Sequence, residues 1–540
     1  MKSLLTVIRH SYAVQGTLFA LTFLGFAVAS NAEFLFSPNT IPWFDFMANE
    51  LLMDKAREFS LLHGNYSRLG FYHPGPFYFY VMLLSEWLLH DLIPLFPTTI
   101  AANFFSGSLL ICAAIGGCWW LGATLSGRSI GGLITALFVI SIGLYQTPYY
   151  FTFDTNQNLG NFLFSIWMPH LYMPSALFLA ISCIAILTGR RGWWVVAIFA
   201  ALQLIHGHAS FYAIAPMILF ATLIADLYFG SGALQSGSVF QRFLHYWRTY
   251  KRYVFYSLPI ITIMLLPMGL YLWHYWPGEF PYYLNAGTDR TDATTPVENL
   301  EMLLNLVPPL SILLLLYVVH ERQPRVAILS VAIAFSIPAI LYILFGVDNR
   351  HYAYLIYWYI ITLILLAGLT VSLWTKTHAA FRWGAVAFAC LLPFISPFPY
   401  TPQEVPFYSR DEYRTLIDDM RALSPDKPVI LSFRKKDFGS GLEDVLQMIN
   451  MMQKSKETPA FCIHPQSWGI ILTPHYRCKE TPNDAHYILV SQDVLPYPIL
   501  GRSSHEIYYD ITQHPQELLD NILPLGEGNN FVLPYIVRER

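Results

Sequence analysis

The sequence predicts a mainly α, polytopic transmembrane helical bundle with a small α/β domain at its C-terminus. Three observations carry this. Of 540 residues, 55% are hydrophobic and only 12% charged, against about 25% charged in soluble domains. Mean hydropathy is +0.42. The charge is also uneven, because residues 400–540 hold 19 of the 35 acids and 14 of the 32 bases. A break near Pro397-Phe398-Pro399 therefore divides an apolar part, 1–398, from a soluble-looking part, 399–540. The net charge of -3 gives no basic footprint, so nucleic acid is not an expected partner. Aromatics at 16% suit side chains at membrane interfaces.

A spanning helix needs about 20 apolar residues. Runs of that kind lie at 11–33, 100–125, 129–147, 171–188, 193–207, 209–229, 253–275, 303–319, 326–346, 353–374 and 382–397. That makes about eleven spans. Lys2 and Arg9 precede the first run, and Val28-Ala29-Ser30-Asn31-Ala32 loosely resembles a cleavage site. The run is long for a signal peptide, so an uncleaved anchor with its N-terminus inside is the preferred reading. Positive charge sets the sidedness. Arg128, Arg190-Arg191, the group Arg242/Arg248/Lys251/Arg252, Arg322/Arg325 and Lys376/Arg382 then all fall in cytoplasmic loops. The outer segments become 34–99, 148–170, a tip at 206–208, 276–302, 347–352 and the C-terminal domain. This parity requires the run 76–96 to lie at the outer interface rather than cross. Four prolines bracket it, and Glu86, His90 and Asp91 suit lipid poorly.

Within the C-terminal part, helices are expected at 412–423 and 441–454 and strands at 429–433, 460–463 and 487–491. This alternation suggests an α/β unit. Cys462 and Cys478 are its only cysteines, and outside the cytoplasm they would form a disulfide.

The first outer loop is the richest in chemistry. It holds Trp43-Phe44-Asp45-Phe46-Met47-Ala48-Asn49-Glu50, then Gly64-Asn65-Tyr66-Ser67-Arg68-Leu69-Gly70-Phe71-Tyr72-His73-Pro74-Gly75-Pro76. A carboxylate, an amphipathic helix, then a cation and an imidazole on a Gly/Pro-fixed path can be held against the membrane surface.

Here the chain resembles the GT-C superfamily of membrane glycosyltransferases, which includes protein O-mannosyltransferases and the aminoarabinose transferases of lipid A. The nearer likeness is to bacterial members with a pattern like G-x-YSR-x-G-x-x-HPGP. This chain has Tyr66-Ser67-Arg68 and His73-Pro74-Gly75-Pro76. It has Trp167-Met168-Pro169 and Pro174, with Met where the pattern has Asn. It has Ile205-His206-Gly207-His208, where only His208 falls on the pattern's histidine. The likeness covers roughly the first 230 residues well and the rest by layout only.

The resemblance implies sugar transfer from a polyprenyl-phosphate donor to a cell-envelope glycan, lipid or protein, on the outer (periplasmic) side of a bacterial inner membrane. Asp45 is the first candidate for the general base and Glu50 the second, with Asp54 a turn further along. Asp45 also fits a helix cap. Arg68 and Arg350 are the candidate cations for the leaving phosphate, with an interfacial snorkelling role as the lesser alternative for Arg68. His351 shares the polar turn 346–352 with Arg350. His208 reads either as a sugar or phosphate contact or as a structural histidine. Asp154 would orient the acceptor or bind a divalent metal, and no cofactor is certain. Asp289-Arg290-Thr291-Asp292 reads as a solvated turn. Two rival functions remain. One is a transporter or flippase of a lipid-linked glycan, which wants broken or charged helices near mid-membrane. The other is an integral-membrane acyltransferase built on His206/His208.

Overall fold

The computed structural model describes residues 11–38, 40–42, 45–65, 71–143, 164–166, 168–230, 238–285, 307–345 and 357–395. Beyond these it describes 407–409, 415, 417–419, 422, 429–433, 461–463, 486–491, 496, 498–502 and 507–513.

The first helix, α1 (Tyr12–Ser30), begins where the Ser11 side chain accepts a hydrogen bond from the Val14 N–H. It is followed by a short α2 (Ala32–Phe36) and a strand, β1 (Thr40–Pro42). Next come α3 (Asp45–Arg57) and α4 (Phe77–Glu86), which runs on into a π-helical turn, Trp87–Leu92. The apolar run 76–96 thus forms too short a helix to cross a bilayer, since spanning takes about 20 residues.

The central helix is α5 (Thr99–Ser126). Thr98 caps its start, and Gly127 closes it with φ +69, a left-handed conformation that suits glycine. Helix α1 lies on it in glycine-to-glycine contact. A Cβ on Gly16 would stand 2.6 Å from the Gly116 carbonyl oxygen. After α5 come α6 (Ser129–Gly143), α7 (Met168–Leu171), α8 (Met173–Leu187), α9 (Trp193–Gly207), α10 (Phe211–Phe229) and α11 (Val239–Tyr275). Then follow α12 (Phe280–Asn285), α13 (Val307–Ile312) with a 3₁₀ turn at Leu313–Val318, α14 (Arg322–Phe345), α15 (Tyr357–Thr377) and α16 (Arg382–Ile395).

Among the described residues, seven helices are long and apolar enough to cross a membrane: Tyr12–Ser30, Thr99–Ser126, Met168–Leu187, Phe211–Phe229, Val239–Tyr275, Arg322–Ile343 and Tyr357–Thr377. Three others are apolar but shorter: Ser129–Ser141, Trp193–Gly207 and Ala379–Leu391. Helices α8 and α15 are buried along most of their length and form the core with α5. Large apolar side chains instead face outward on the peripheral helices, as Phe26, Phe220, Ile263, Ile333 and Trp383 do. Helices apolar on both faces are suited to lipid rather than water. The fold is therefore mainly helical, and its long apolar helices suggest a membrane protein.

Strand β2 (Phe407–Ser409) pairs antiparallel with β1, placing Thr40 opposite Ser409 and Pro42 opposite Phe407. The segment after α16 is thereby tied to the segment after α2. The remaining strands are β3 (Val429–Phe433), β4 (Phe461–Ile463), β5 (His486–Ser491), β6 (Ile499–Arg502) and β7 (Ile507–Asp510). They form one sheet in the order β4-β3-β5-β7-β6. The first three are parallel, while β7 runs antiparallel to both β5 and β6. The expected strands at 429–433, 460–463 and 487–491 correspond to β3, β4 and β5. The two antiparallel strands were not foreseen, because four-residue segments carry too little alternation to stand out.

Candidate functional site

Two polar clusters sit at one end of the bundle, where α3, α4 and the first turn of α5 meet the ends of α9, α10 and α11. The first is a closed ionic knot. Glu50, Asp54 and Arg57 fall four and three residues apart on α3, so they share one face. Arg57 reaches Glu50 Oε1 at 2.6 Å, Glu86 Oε1 at 2.7 Å and Asp54 Oδ1 at 2.5 Å. Its Nε also donates to Glu86 Oε2 at 2.9 Å. From the core helix, Asn103 donates to Glu86 at 2.8 Å and to Glu50 at 3.2 Å, and Thr99 donates to Glu50.

Glu50 and Glu86 are each only 2% exposed. Buried carboxylates persist where a cation and further hydrogen bonds compensate the lost hydration. Three carboxylates face one guanidinium, so burial and the neighbouring Glu50 raise the Glu86 pKa above the ordinary value. Burial works against the Arg57 charge, but Glu50 and Glu86 outweigh it and keep the guanidinium charged.

The second cluster is built on the His-Pro-Gly-Pro segment. The Gly64 N–H donates to the His73 carbonyl and the His73 N–H to the Asn65 carbonyl, both at 2.7 Å. This short ladder lays His63–Asn65 beside Tyr72–Pro74. Gly75 is required by a close approach, because a Cβ there would stand 2.1 Å from His206 Nδ1. His206 is a pin between three elements. Its Nδ1 accepts from the Phe77 N–H at the start of α4, and its Nε2 donates to the Met264 carbonyl of α11.

Partners also assign the other imidazole tautomers. His73 Nδ1 accepts from the Ala209 N–H at 3.4 Å, and His208 Nδ1 accepts from the Ser210 N–H at 3.2 Å. Each therefore carries its proton on Nε2 when neutral. The two rings lie 4.4 Å apart. His63 is the opposite tautomer, since its Nδ1 donates to the Gly64 carbonyl and Nε2 keeps its lone pair. Burial lowers the pKa of His63 and of His208 to about 4. Burial, reinforced by His208, takes His73 well below its ordinary value. All three are neutral at pH 7.

His63 and His73 open onto a small, shallow cleft. Tyr212, Phe280 and Tyr283 line it together with Met268, Tyr271 and Leu272 of α11. Glu279, 3% exposed, supplies a carboxylate, with the Tyr271 hydroxyl donating to its Oε1 at 2.5 Å. Tyr283 donates to the Tyr72 carbonyl and so ties α12 to the His-Pro-Gly-Pro segment. Gly278, with φ +63, makes the turn that follows α11 and brings Glu279 back to Tyr271.

Of the residues expected from sequence, His73 lines the cleft, His208 stacks behind it, and Glu50 lies in the knot. Asp45 is the first residue of α3, and its side chain lies outside the described part. Arg68, Asp154, Arg350, His351 and Cys478 lie outside the described residues, as does the Cys462 side chain on β4. The proposed disulfide falls there too. Among the described residues no group of three His, Cys, Asp or Glu is arranged to hold a metal; Asp154, the candidate ligand, is not one of them.

Sequence reasoning passed over Arg57, His63, Tyr271 and Glu279. Only Arg57 had a local signal, its spacing from Glu50 and Asp54. No protein-family model matches the chain, and no curated protein matches it.

Proposed function

We propose that this chain is an integral-membrane glycosyltransferase that moves a sugar from a polyprenyl-phosphate donor to an envelope acceptor. The observation that carries the reading is the cleft. Aromatic rings offer flat faces to a sugar, while a carboxylate and imidazoles of both tautomers offer acceptors and a donor to its hydroxyls. Part of its lining, Met268, Tyr271 and Leu272, comes from α11, a helix with much apolar surface exposed, which suits a donor carrying a long lipid. The full set of about eleven spans belongs to this proposal. So do a cytoplasmic N-terminus and an extracytoplasmic first loop and C-terminal domain. The β1–β2 pairing supports that shared side.

In the reaction, the acceptor oxygen attacks the anomeric carbon, and the bond from that carbon to the phosphate oxygen breaks. The electron pair leaves with the lipid phosphate, and the acceptor's proton passes to a base. Asp45 is kept as that base, with Arg68 and Arg350 meeting the phosphate charge. The test is transfer of labelled sugar from a polyprenyl-phosphate donor by Asp45→Asn, Glu50→Gln and Asp54→Asn. Asp45→Asn is expected to abolish transfer while donor binding and thermal stability persist. Full activity in all three would remove the base from this helix.

A second reading, acyl transfer to a hydroxyl, draws on His63, whose Nε2 keeps its lone pair, although burial lowers its pKa to about 4 and so weakens it as a base. Transfer from an acyl thioester with none from a lipid-linked sugar would favour it.

A further inference from the structure

The opposite end of the bundle carries a feature that the transfer reaction does not use. Helix α11 has 37 residues and is about 55 Å long, well over the hydrocarbon thickness of about 30 Å. Its unbroken apolar stretch begins only near Val254. The first part, 239–253, holds Arg242, Arg248, Lys251 and Arg252 and no acidic residue. A capping box between Ser238 and Gln241 starts it firmly.

Phe240, Phe243, Leu244 and Trp247 recur at helical spacing along this segment, and all four are exposed. In water such a stripe is costly; in line with the exposed apolar surface of the same helix, it belongs at a lipid boundary. The turn between α8 and α9 adds Arg190 and Arg191. Arg190 lies over Trp120 at 5.5 Å, Arg191 over Tyr250 at 5.4 Å, and Arg242 over Tyr228 at 5.0 Å. The facing acid is Asp226 of α10, which is buried beside Tyr246, Tyr250 and Arg191. Among the described residues of 239–253, the α8–α9 turn and α10, six cations therefore stand with one carboxylate.

We propose that the first four turns of α11, with the α8–α9 turn, form a docking surface for anionic phospholipid headgroups of the host bilayer. The aromatic stripe sits in the acyl boundary and the cations meet the phosphates. Charge complementarity and continuity with the lipid-facing surface select this partner over an acidic protein.

The test uses the full-length protein in detergent, with native mass spectrometry counting bound phosphatidylglycerol against phosphatidylcholine. Wild-type protein is expected to prefer phosphatidylglycerol at least about tenfold. The triple variant Arg248→Glu/Lys251→Glu/Arg252→Glu should lose that preference while its melting temperature holds. Arg248→Gln/Lys251→Gln/Arg252→Gln serves if the reversal impairs folding. Arg128→Glu, which removes a cation from the separate α5–α6 turn, should keep the preference. Equal binding of both lipids by wild type would overturn the proposal. So would an unchanged preference in both triple variants, or an equal loss in Arg128→Glu.

Discussion

The ionic knot and the cleft occupy the same end of the bundle and use similar residue types, yet they are opposites in construction. In the knot four of the five guanidinium N–H groups of Arg57 are directed at Glu50, Asp54 or Glu86, and two of those carboxylates are sealed from water. In the cleft, His63 and His73 each bind a backbone group through Nδ1 and keep Nε2 for something else. Saturated polar groups hold helices together; partly committed groups facing an opening are available to a ligand. On the proposed reading, the first cluster gives stability and the second recognition.

The largest expected effect comes from removing the knot's cation. Arg57→Ala would strand Glu50 and Glu86, at a cost of about 3–5 kcal/mol. Thermal denaturation in detergent should show a clear fall in melting temperature. An unchanged melting temperature with transfer abolished would break the division between the clusters and move the knot into the chemistry.

Glu279→Gln should do the reverse. The amide still accepts from Tyr271 but loses the charge, and a hydrogen bond to a charged group contributes about 1.5–3 kcal/mol. Transfer is expected to fall about tenfold to a hundredfold, with the melting temperature close to wild type. An effect on stability alone would make the cleft carboxylate structural.

Gly75→Ala tests the join between loop and cleft. The added methyl meets the His206 ring, and such overpacking costs about 1–3 kcal/mol. His73 should shift with it, so stability and transfer should decline together. Loss of neither would mean that the segment yields without consequence.

The smallest effect is on pH dependence. His63 and His208 have folded pKa values of about 4 against 6.5 for the ordinary side chain. Between those limits the unfolded chain binds more protons, so stability rises with pH through the window and is lost on acidification. Glu86 acts with the opposite sign. Its raised pKa makes the folded state bind more protons above pH 4.5, so its contribution is present at low pH and declines as pH rises. His63→Gln should flatten the acid limb between pH 4 and 6.5; an unaltered limb would leave that slope to other groups.

The membrane character was legible in sequence because it needs only long apolar runs, and α1, α5, α10, α14 and α15 fall on them. The first loop was legible as a place for chemistry because its glycines and prolines stand close together. The partners were not. Glu86 read as a misfit at a lipid boundary, yet Arg57, 29 residues earlier, and Asn103 on the next helix neutralise and hold it. His206 attracted less notice than His208, but it is the pin that explains Gly75. Tyr271 and Glu279 lie some 200 residues from His63 and His73, so no local pattern could join them. Hydropathy is a property of a segment, whereas a cleft is a property of contacts between distant segments.

The cleft's role as the sugar site is tested most directly by photocrosslinking. A polyprenyl-phosphate sugar carrying a diazirine on the sugar ring would be bound to the full-length protein in nanodiscs, irradiated and mapped by peptide mass spectrometry. Crosslinks within 63–74 and 268–283, competed by unlabelled donor and lost in Glu279→Gln, are the expected result. Crosslinks confined to other segments, or labelling that unlabelled donor does not compete, would contradict the assignment.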